Sequence, residues 1–568
     1  MSRRVLRAAA AAVLFRPPGT LQLVYCPPTL FHIRLGSKLH PQGFSSSPSF
    51  QELGQSWNGR GESKTIYALS TAPGKSAIAI VRISGFACMD IFRSLCPNTA
   101  LPRPRAAILR TLYRPQTSLP KTEKEILDPG ALVLYFPGPN SVTGEDLLEL
   151  HIHGGPAIIR AVIASIPLSL TPHRICYAEP GDFTRRAFSN DRLTLPQIEA
   201  LSDILSSTTE QQRILSVRSS SSSLSENYEA WRTALISARG ELEALIDFSE
   251  DQQFDTSSNE LLANVVAAVL KLQEVLWNHV ANAVKGELLR SGISLTLVGA
   301  PNAGKSSLLN RVVGREAVIV SGEAGTTRDV VDLSVDLGGF MVVLGDTAGL
   351  RVDDVSEGVG EVEKEGIRRA KKRVMDGDVV IAVLSVENID GSPELKISQE
   401  VVNVVKEADG KEVIVVVNKM DLVRSSAGGK IPDNMLAIIT SQFPELPPNR
   451  IFGISCTAEA EAGIQDFLHG LISIFEEMTS PDSSPSSSWH ESIGATERQR
   501  LLVEECIGFL ESFLALTNTD AEHVDVVAAA EELRSAAESL AKITGRGEGA
   551  GDVEEVLGVV FEKFCVGK

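Results

Sequence analysis

A chain of 568 residues is too long for one hydrophobic core and points to three or four domains at about 150 residues each. Its composition, 43% hydrophobic and 22% charged, is globular, and it holds no apolar run of the roughly 18 residues that a membrane span requires. A formal charge of -18 excludes nucleic-acid binding by net charge alone, so an RNA partner would be met by a local basic patch or through another protein.

Taken in order, the chain opens on residues 1–62, where Arg3, Arg4, Arg7, Arg16, Arg34 and Lys38 lie among Ala, Ser and Pro with no acid before Glu52. That is transit-peptide composition, and an opening Arg/Ala helix favours the mitochondrion, with the plastid as the alternative. Seven cysteines without a C-x-x-C pair read as reduced thiols.

Residues 63–183 read as a small α/β domain. Strands are expected at Thr65–Leu69, Ala77–Ile83, Ala131–Phe136 and Leu147–Ile152, with a helix over Pro156–Ile166 and a tight loop over 137–144. His151 and His153 are expected on opposite faces of their strand, and so not to share a metal ion. From 184 to 290 apolar residues recur at spacings of three and four, which predicts helices, the last over Asn259–Leu289. The serine-dense stretch Ser216–Ser225 fits a loop or a weak helix. Between 291 and 478, strands expected at Ser294–Val298, Met341–Leu344, Val379–Val383, Val413–Val417 and Ile451–Ile454 alternate with helical segments, the pattern of a mostly parallel sheet covered on both faces. A Ser/Pro-rich linker over 479–492 precedes helices expected at Glu497–Leu516 and Asp525–Leu540, within a final segment 493–568. The simplest architecture is an α/β domain inserted into a helical domain whose two halves pack together.

The chemistry is concentrated in the inserted segment. Gly299 to Ser306 reads Gly-Ala-Pro-Asn-Ala-Gly-Lys-Ser between a strand and a helix, a turn whose backbone N–H groups can cradle phosphate. Lys305 can reach the β- and γ-phosphates, and the Ser306 hydroxyl can ligate magnesium. Asp346-Thr-Ala-Gly349 puts a carboxylate near that metal and a backbone N–H near the γ-phosphate. Asn418-Lys419-Met420-Asp421 ends a later strand; its Asp421 carboxylate can accept from both N1–H and N2–H of guanine, which selects GTP over ATP. Gly325-Thr-Thr-Arg-Asp329 supplies a Thr as second magnesium ligand, and Ser455-Cys456-Thr457 lies where a loop would meet guanine O6.

These motifs, with Phe136 to Asp146 (Phe-Pro-Gly-Pro-Asn-Ser-Val-Thr-Gly-Glu-Asp), His153-Gly-Gly-Pro156 and the terminal Cys565-Val-Gly-Lys568, resemble the MnmE (TrmE) family of tRNA modification GTPases in an organelle-targeted form. The resemblance runs from about Thr65 to the last residue. It implies a P-loop GTPase domain inserted into an α-helical domain, after an N-terminal α/β (α+β) folate-binding and dimerisation domain. It also implies a potassium-stimulated GTP hydrolase acting at C5 of wobble uridines in tRNA, with a one-carbon unit from 5-formyl- or 5,10-methylene-tetrahydrofolate. The implied partners are a second copy of the chain and an FAD-dependent MnmG (GidA)-type protein, together forming a heterotetramer.

By the same resemblance, the GTP-binding set is Asn302, Ala303, Gly304, Lys305, Ser306 and Ser307 in the phosphate loop, Thr326 and Thr327, Asp346, Thr347, Ala348 and Gly349, then Asn418, Lys419, Asp421, Ser455 and Cys456. Thr327 joins Ser306 on magnesium, while Asn302, Ser321, Glu323 and Thr326 hold potassium. Leu350 stands where Ras-like enzymes carry the Gln that orients water, so that role passes to Glu363 in the following segment, with Glu365 its local rival; Asn302 and Lys305 complete the catalytic set. Arg328 is read as a loop ion pair and not as an internal arginine finger. Arg82, Glu149, Arg192 and Lys568 are the folate residues, Arg192 replacing the family's Lys, and Cys565 resembles its terminal thiol. A GTP-switched assembly factor for an organellar ribosome is the alternative from another functional class; it would need neither the 137–144 loop nor the terminal motif.

Overall fold

The computed structural model describes residues 64–115, 125–248, 258–315, 318–321, 333–345, 377–389, 392–408, 410–423, 430–457, 463–480, 492–518, 524–545, 553–562, 564 and 567. The elements begin with β1 (Thr65–Leu69), β2 (Ile78–Ser84), α1 (Cys88–Leu95), β3 (Ile108–Tyr113), β4 (Ile126–Phe136), β5 (Leu147–His153), α2 (Pro156–Ser165) and β6 (Ile175–Tyr177). The six strands form one sheet in the order β3-β4-β5-β2-β1-β6, antiparallel except for the β1–β6 pair. Period-two alternation decides its faces: Val81, Ile83, Leu148, Leu150 and Ile152 are buried with α1 and α2, while Arg82, Glu149, His151 and His153 line the other face. The two histidines therefore share a face, contrary to expectation, because residues two apart on a strand point the same way. His151 instead meets Glu149 at 3.3 Å, and His153 Nδ1 lies 2.9 Å from the buried carboxylate of Asp128.

Helices α3 (Asp182–Ser189), α4 (Leu195–Ser206), α5 (Glu210–Ser219), α6 (Ser222–Phe248) and α7 (Ser258–Ser291) follow. The serine-dense stretch is the junction of two helices. It tolerates helix because Ser216 and Ser219 donate to the carbonyls of Gln212 and Leu215 one turn back.

Ser291 leads within two residues into the inserted domain: β7 (Ile293–Gly299), α8 (Lys305–Arg315), β8 (Val318–Ser321), β9 (Leu333–Leu337), β10 (Phe340–Leu344), β11 (Val379–Ile389), β12 (Ser392–Lys396), α9 (Gln399–Glu407), β13 (Glu412–Asn418), α10 (Asp433–Gln442), β14 (Ile451–Gly453) and α11 (Ile464–Thr479). Its sheet runs β14-β13-β11-β7-β10-β9-β8, with β12 added to the end of β11. The first five strands are parallel and predominantly apolar, as expected of strands covered on both faces, here by separate cores. The antiparallel additions β8, β9 and β12 are short edge or near-edge pieces; β9 and β12 lack a continuous apolar run, and the apolar run of β8 is only three residues long, too short to stand out as a strand.

Helices α12 (Glu497–Thr517), α13 (Val526–Thr544) and α14 (Val553–Glu562) close the chain. Leu235, Leu242 and Leu276 from before the insertion share one core with Val503, Leu510, Phe513 and Leu540 from after it. Each such buried side chain contributes about 1.5–3 kcal/mol, so the halves are held as one helical domain. A buried polar chain crosses the same junction: His279 Nε2 to the Tyr228 hydroxyl at 2.9 Å, Tyr228 to Gln499 Oε1 at 3.2 Å, Gln499 to Glu199, and Glu199 to Arg498 Nε at 2.6 Å.

Candidate GTP site and its companion on the N-terminal sheet

Two strand ends and one helix start converge at the carboxyl edge of the parallel sheet. β7 ends at Gly299 beside Val383 of β11, α8 starts at Lys305, and β13 ends at Asn418. Together they border a cleft of about 480 Å³ lined by Asn302, Gly304, Lys305, Ser306, Ser307, Asn418, Lys419, Asp421, Leu422, Cys456 and Thr457. Sequence-separated motifs are thus brought to one place, where open α/β sheets bind ligands.

The turn is built for close backbone approach. Asn302 and Gly304 have φ of 62° and 97°, and a Cβ on Gly304 would stand 1.9 Å from Asn418 Nδ2. That amide donates to the Ala303 carbonyl at 2.9 Å, tying the strand end to the phosphate loop. Its Oδ1 is buried with no hydrogen-bond partner among the described residues, and the Lys305 ammonium donates to the Gly299 and Ala300 carbonyls at 2.8 and 2.9 Å. Burial lowers the Lys305 pKa, because a desolvated ammonium loses hydration. A nucleotide polyphosphate fits this arrangement: a desolvated cation that, among the described residues, meets carbonyl dipoles and no carboxylate, an acceptor with no partner among them, and a turn with no room for a side chain.

At the base end, Lys419 has φ of 63°, Met420 N–H donates to Ile454 O at 3.1 Å, and the fully buried Ser455 hydroxyl donates to Asp421 Oδ1 at 2.7 Å. Ser455 thus orients the carboxylate that would read guanine. Burial pushes the Cys456 thiol up to about 11, so it is neutral at physiological pH. Arg311 on α8 donates to Thr457 O at 2.9 Å, a contact no motif had signalled because the two residues are 146 positions apart.

Thr326, Thr327, Glu323, Asp346, Thr347, Ala348, Gly349, Leu350, Glu363, Glu365, Arg328, Cys565 and Lys568 lie outside the described residues, as does the 1–62 segment. Ser321 ends β8.

On the N-terminal sheet Arg82 and Glu149 are cross-strand partners, with Arg82 Nη2 3.0 Å from Glu149 Oε1 and its guanidinium 6.0 Å from the Phe183 ring. Glu149 is thus already charge-paired and must share its carboxylate with any incoming donor. Arg192 sits on the exposed corner after α3 and is not brought into this pair. The 137–146 loop is fastened down: Thr143 meets the Ser84 hydroxyl at 2.8 Å, Asn190 Nδ2 donates to Thr143 O at 2.7 Å, Arg186 pairs with Glu145, and Gly138 N–H donates to Asp146 at 2.9 Å. The chain's end returns here. Phe561 and Phe564 pack with Leu195 and Ile198, the Ser70 hydroxyl donates to Gly567 O at 2.9 Å, and a Cβ on Gly567 would lie 2.4 Å from the Leu69 carbonyl. Ser70 is two residues past Ala68, the sheet partner of Arg82.

Against known proteins, residues 65–192 match the family model "GTP-binding protein TrmE N-terminus" and residues 195–565 match "MnmE helical domain". The chain is 38% identical to the mitochondrial tRNA modification GTPase mss1 of Schizosaccharomyces pombe, over 89% of this chain and 95% of that protein. It is 38% identical to tRNA modification GTPase MnmE of Paramagnetospirillum magneticum, covering all of it, and 37% identical to the human mitochondrial 5-taurinomethyluridine-[tRNA] synthase subunit GTPB3, covering 94%. With both flanking domains matched, a P-loop GTPase domain inserted between the helical halves and near-complete coverage of these relatives, the chain belongs to the MnmE (TrmE) family of tRNA modification GTPases, enzymes that hydrolyse GTP.

Proposed function

We propose that this protein is a mitochondrial, potassium-stimulated GTPase that works with an FAD-dependent MnmG-type partner to install an aminomethyl-type group at C5 of tRNA wobble uridines, the one-carbon unit coming from a tetrahydrofolate. The mitochondrial address rests on the basic, acid-free leader and on relatives named mitochondrial. In this reading Lys305 turns from the Gly299 and Ala300 carbonyls to the β- and γ-phosphates, and Asp421, oriented by Ser455, accepts the guanine N1–H and N2–H. Glu363 positions the attacking water, the task that Leu350 cannot perform. Magnesium on Ser306 and Thr327, and potassium on Asn302, Ser321, Glu323 and Thr326, supply charge neutralisation at the phosphates. Arg82, Glu149 and Lys568 hold the folate, and a homodimer forms through the N-terminal domains.

The observation that carries the reading is the return of the C-terminus to the N-terminal sheet, with Ser70 bonded to Gly567 two residues from the partner of Arg82. A GTPase that acted only as a switch has no need to hold Gly567 beside a second charged pair. Mass spectrometry of mitochondrial tRNA after loss of this protein tests it. The expected result is wobble uridines without their C5 substituent; intact substituents with stalled ribosome assembly would replace it with the assembly-factor reading.

A further inference from the structure

We infer that Arg311 is a positioning residue for guanine recognition, locking the base-contacting loop 455–457 to the same helix that carries the phosphate lysine. This rests on the nucleotide reading of the cleft and names a residue outside its motifs.

The loop has two described anchors at its start and one at its end. Ile454 N–H donates to Val417 O at 2.8 Å and Ile454 O accepts from Met420 N–H at 3.1 Å, so its beginning is fixed to β13. The Ser455 hydroxyl then meets both Asp421 Oδ1 at 2.7 Å and the Thr457 hydroxyl at 3.0 Å. Thr457 lies four residues past the end of β14, and the contact described for its carbonyl is Arg311 Nη2 at 2.9 Å. Arg311 stands six residues after Lys305, about 9 Å up α8 at the ordinary helical rise. One rigid helix thus fixes the phosphate cradle at its first turn and the base loop near its middle. Without the guanidinium, Thr457 is free to shift, the Ser455–Thr457 hydroxyl contact loosens, and the Asp421 carboxylate loses the donor that aims it.

Arg311 is not among the residues that line the cleft, so Arg311→Ala should weaken binding and leave turnover alone. A charge-assisted hydrogen bond at a solvent-exposed site predicts about 2- to 5-fold weaker GDP binding and a matching rise in KM for GTP, with kcat unchanged within error. Arg311→Lys should recover part of the affinity. Because Arg311 acts through Ser455, Arg311→Ala and Ser455→Ala should be non-additive: the double variant should bind GDP about as weakly as the worse single one. The measurement is fluorescent-GDP titration of the full-length chain with steady-state GTPase kinetics. Multiplying single-variant losses, a fall in kcat at unchanged KM, or unchanged GDP affinity in Arg311→Ala would each overturn the inference while leaving the nucleotide reading intact. A wild-type chain that fails to bind GDP would overturn both.

Discussion

Gly304→Ala is the most direct probe of the phosphate cradle. The residue has φ of 97°, where an alanine costs about 1–2 kcal/mol, and the added Cβ would be 1.9 Å from Asn418 Nδ2. Asn418 is buried, so it can yield only by giving up its 2.9 Å bond to Ala303 O, which costs about 1–2 kcal/mol for a buried donor left unmatched. In the empty chain the turn can relax and avoid most of this, so the cost of about 2–4 kcal/mol falls on the bound state, which needs the tight turn. That corresponds to roughly 30-fold to several-hundred-fold weaker GDP binding. Titration with a fluorescent GDP analogue reads it, with circular dichroism checking that the helical domain stays folded. A dissociation constant within threefold of wild type in a folded variant would refute the steric argument.

Four other outcomes follow from the same reasoning. Asn302→Ala should abolish the difference in GTP turnover between KCl and NaCl; its positive φ adds strain that lowers activity equally in both salts, so only the ratio reports on the cation. Glu363→Ala should leave GDP affinity intact and reduce turnover roughly a hundredfold, and the same effect from Glu365→Ala alone would move the water-positioning role by two residues. Deleting Lys568 should weaken calorimetric tetrahydrofolate binding without changing GTP hydrolysis, because Gly567 keeps the tail on β1 through Ser70. Burial without a countercharge lowers the His279 pKa from 6.5 to about 4, so the unfolded chain binds a proton that the folded chain refuses. Stability is then complete above about pH 6.5 and falls by about 3 kcal/mol as pH drops towards 4, and His279→Gln should flatten that slope in thermal melts across pH.

Local chemistry made much of this protein legible from its residues. The glycines and Lys-Ser of 299–306, the Asp of 418–421 and the continuous apolar strands of the inserted domain each follow from what a few neighbouring residues must do, and the structure brings their described members to one cleft. The helical periodicity on both sides was equally readable, since a 3.6-residue repeat needs no partner to be recognised. What tertiary structure alone decided is what depends on residues far apart in the chain. The pairing of Arg82 with Glu149 and of His153 with Asp128 is set by strand register, the hold of Arg311 on Thr457 by where α8 packs, and the return of Gly567 to Ser70 by a shared core of Leu195, Ile198, Phe561 and Phe564. None of these has a local signal. Sequence determined which groups are present and which turns they can make; packing of elements hundreds of residues apart decided which groups meet.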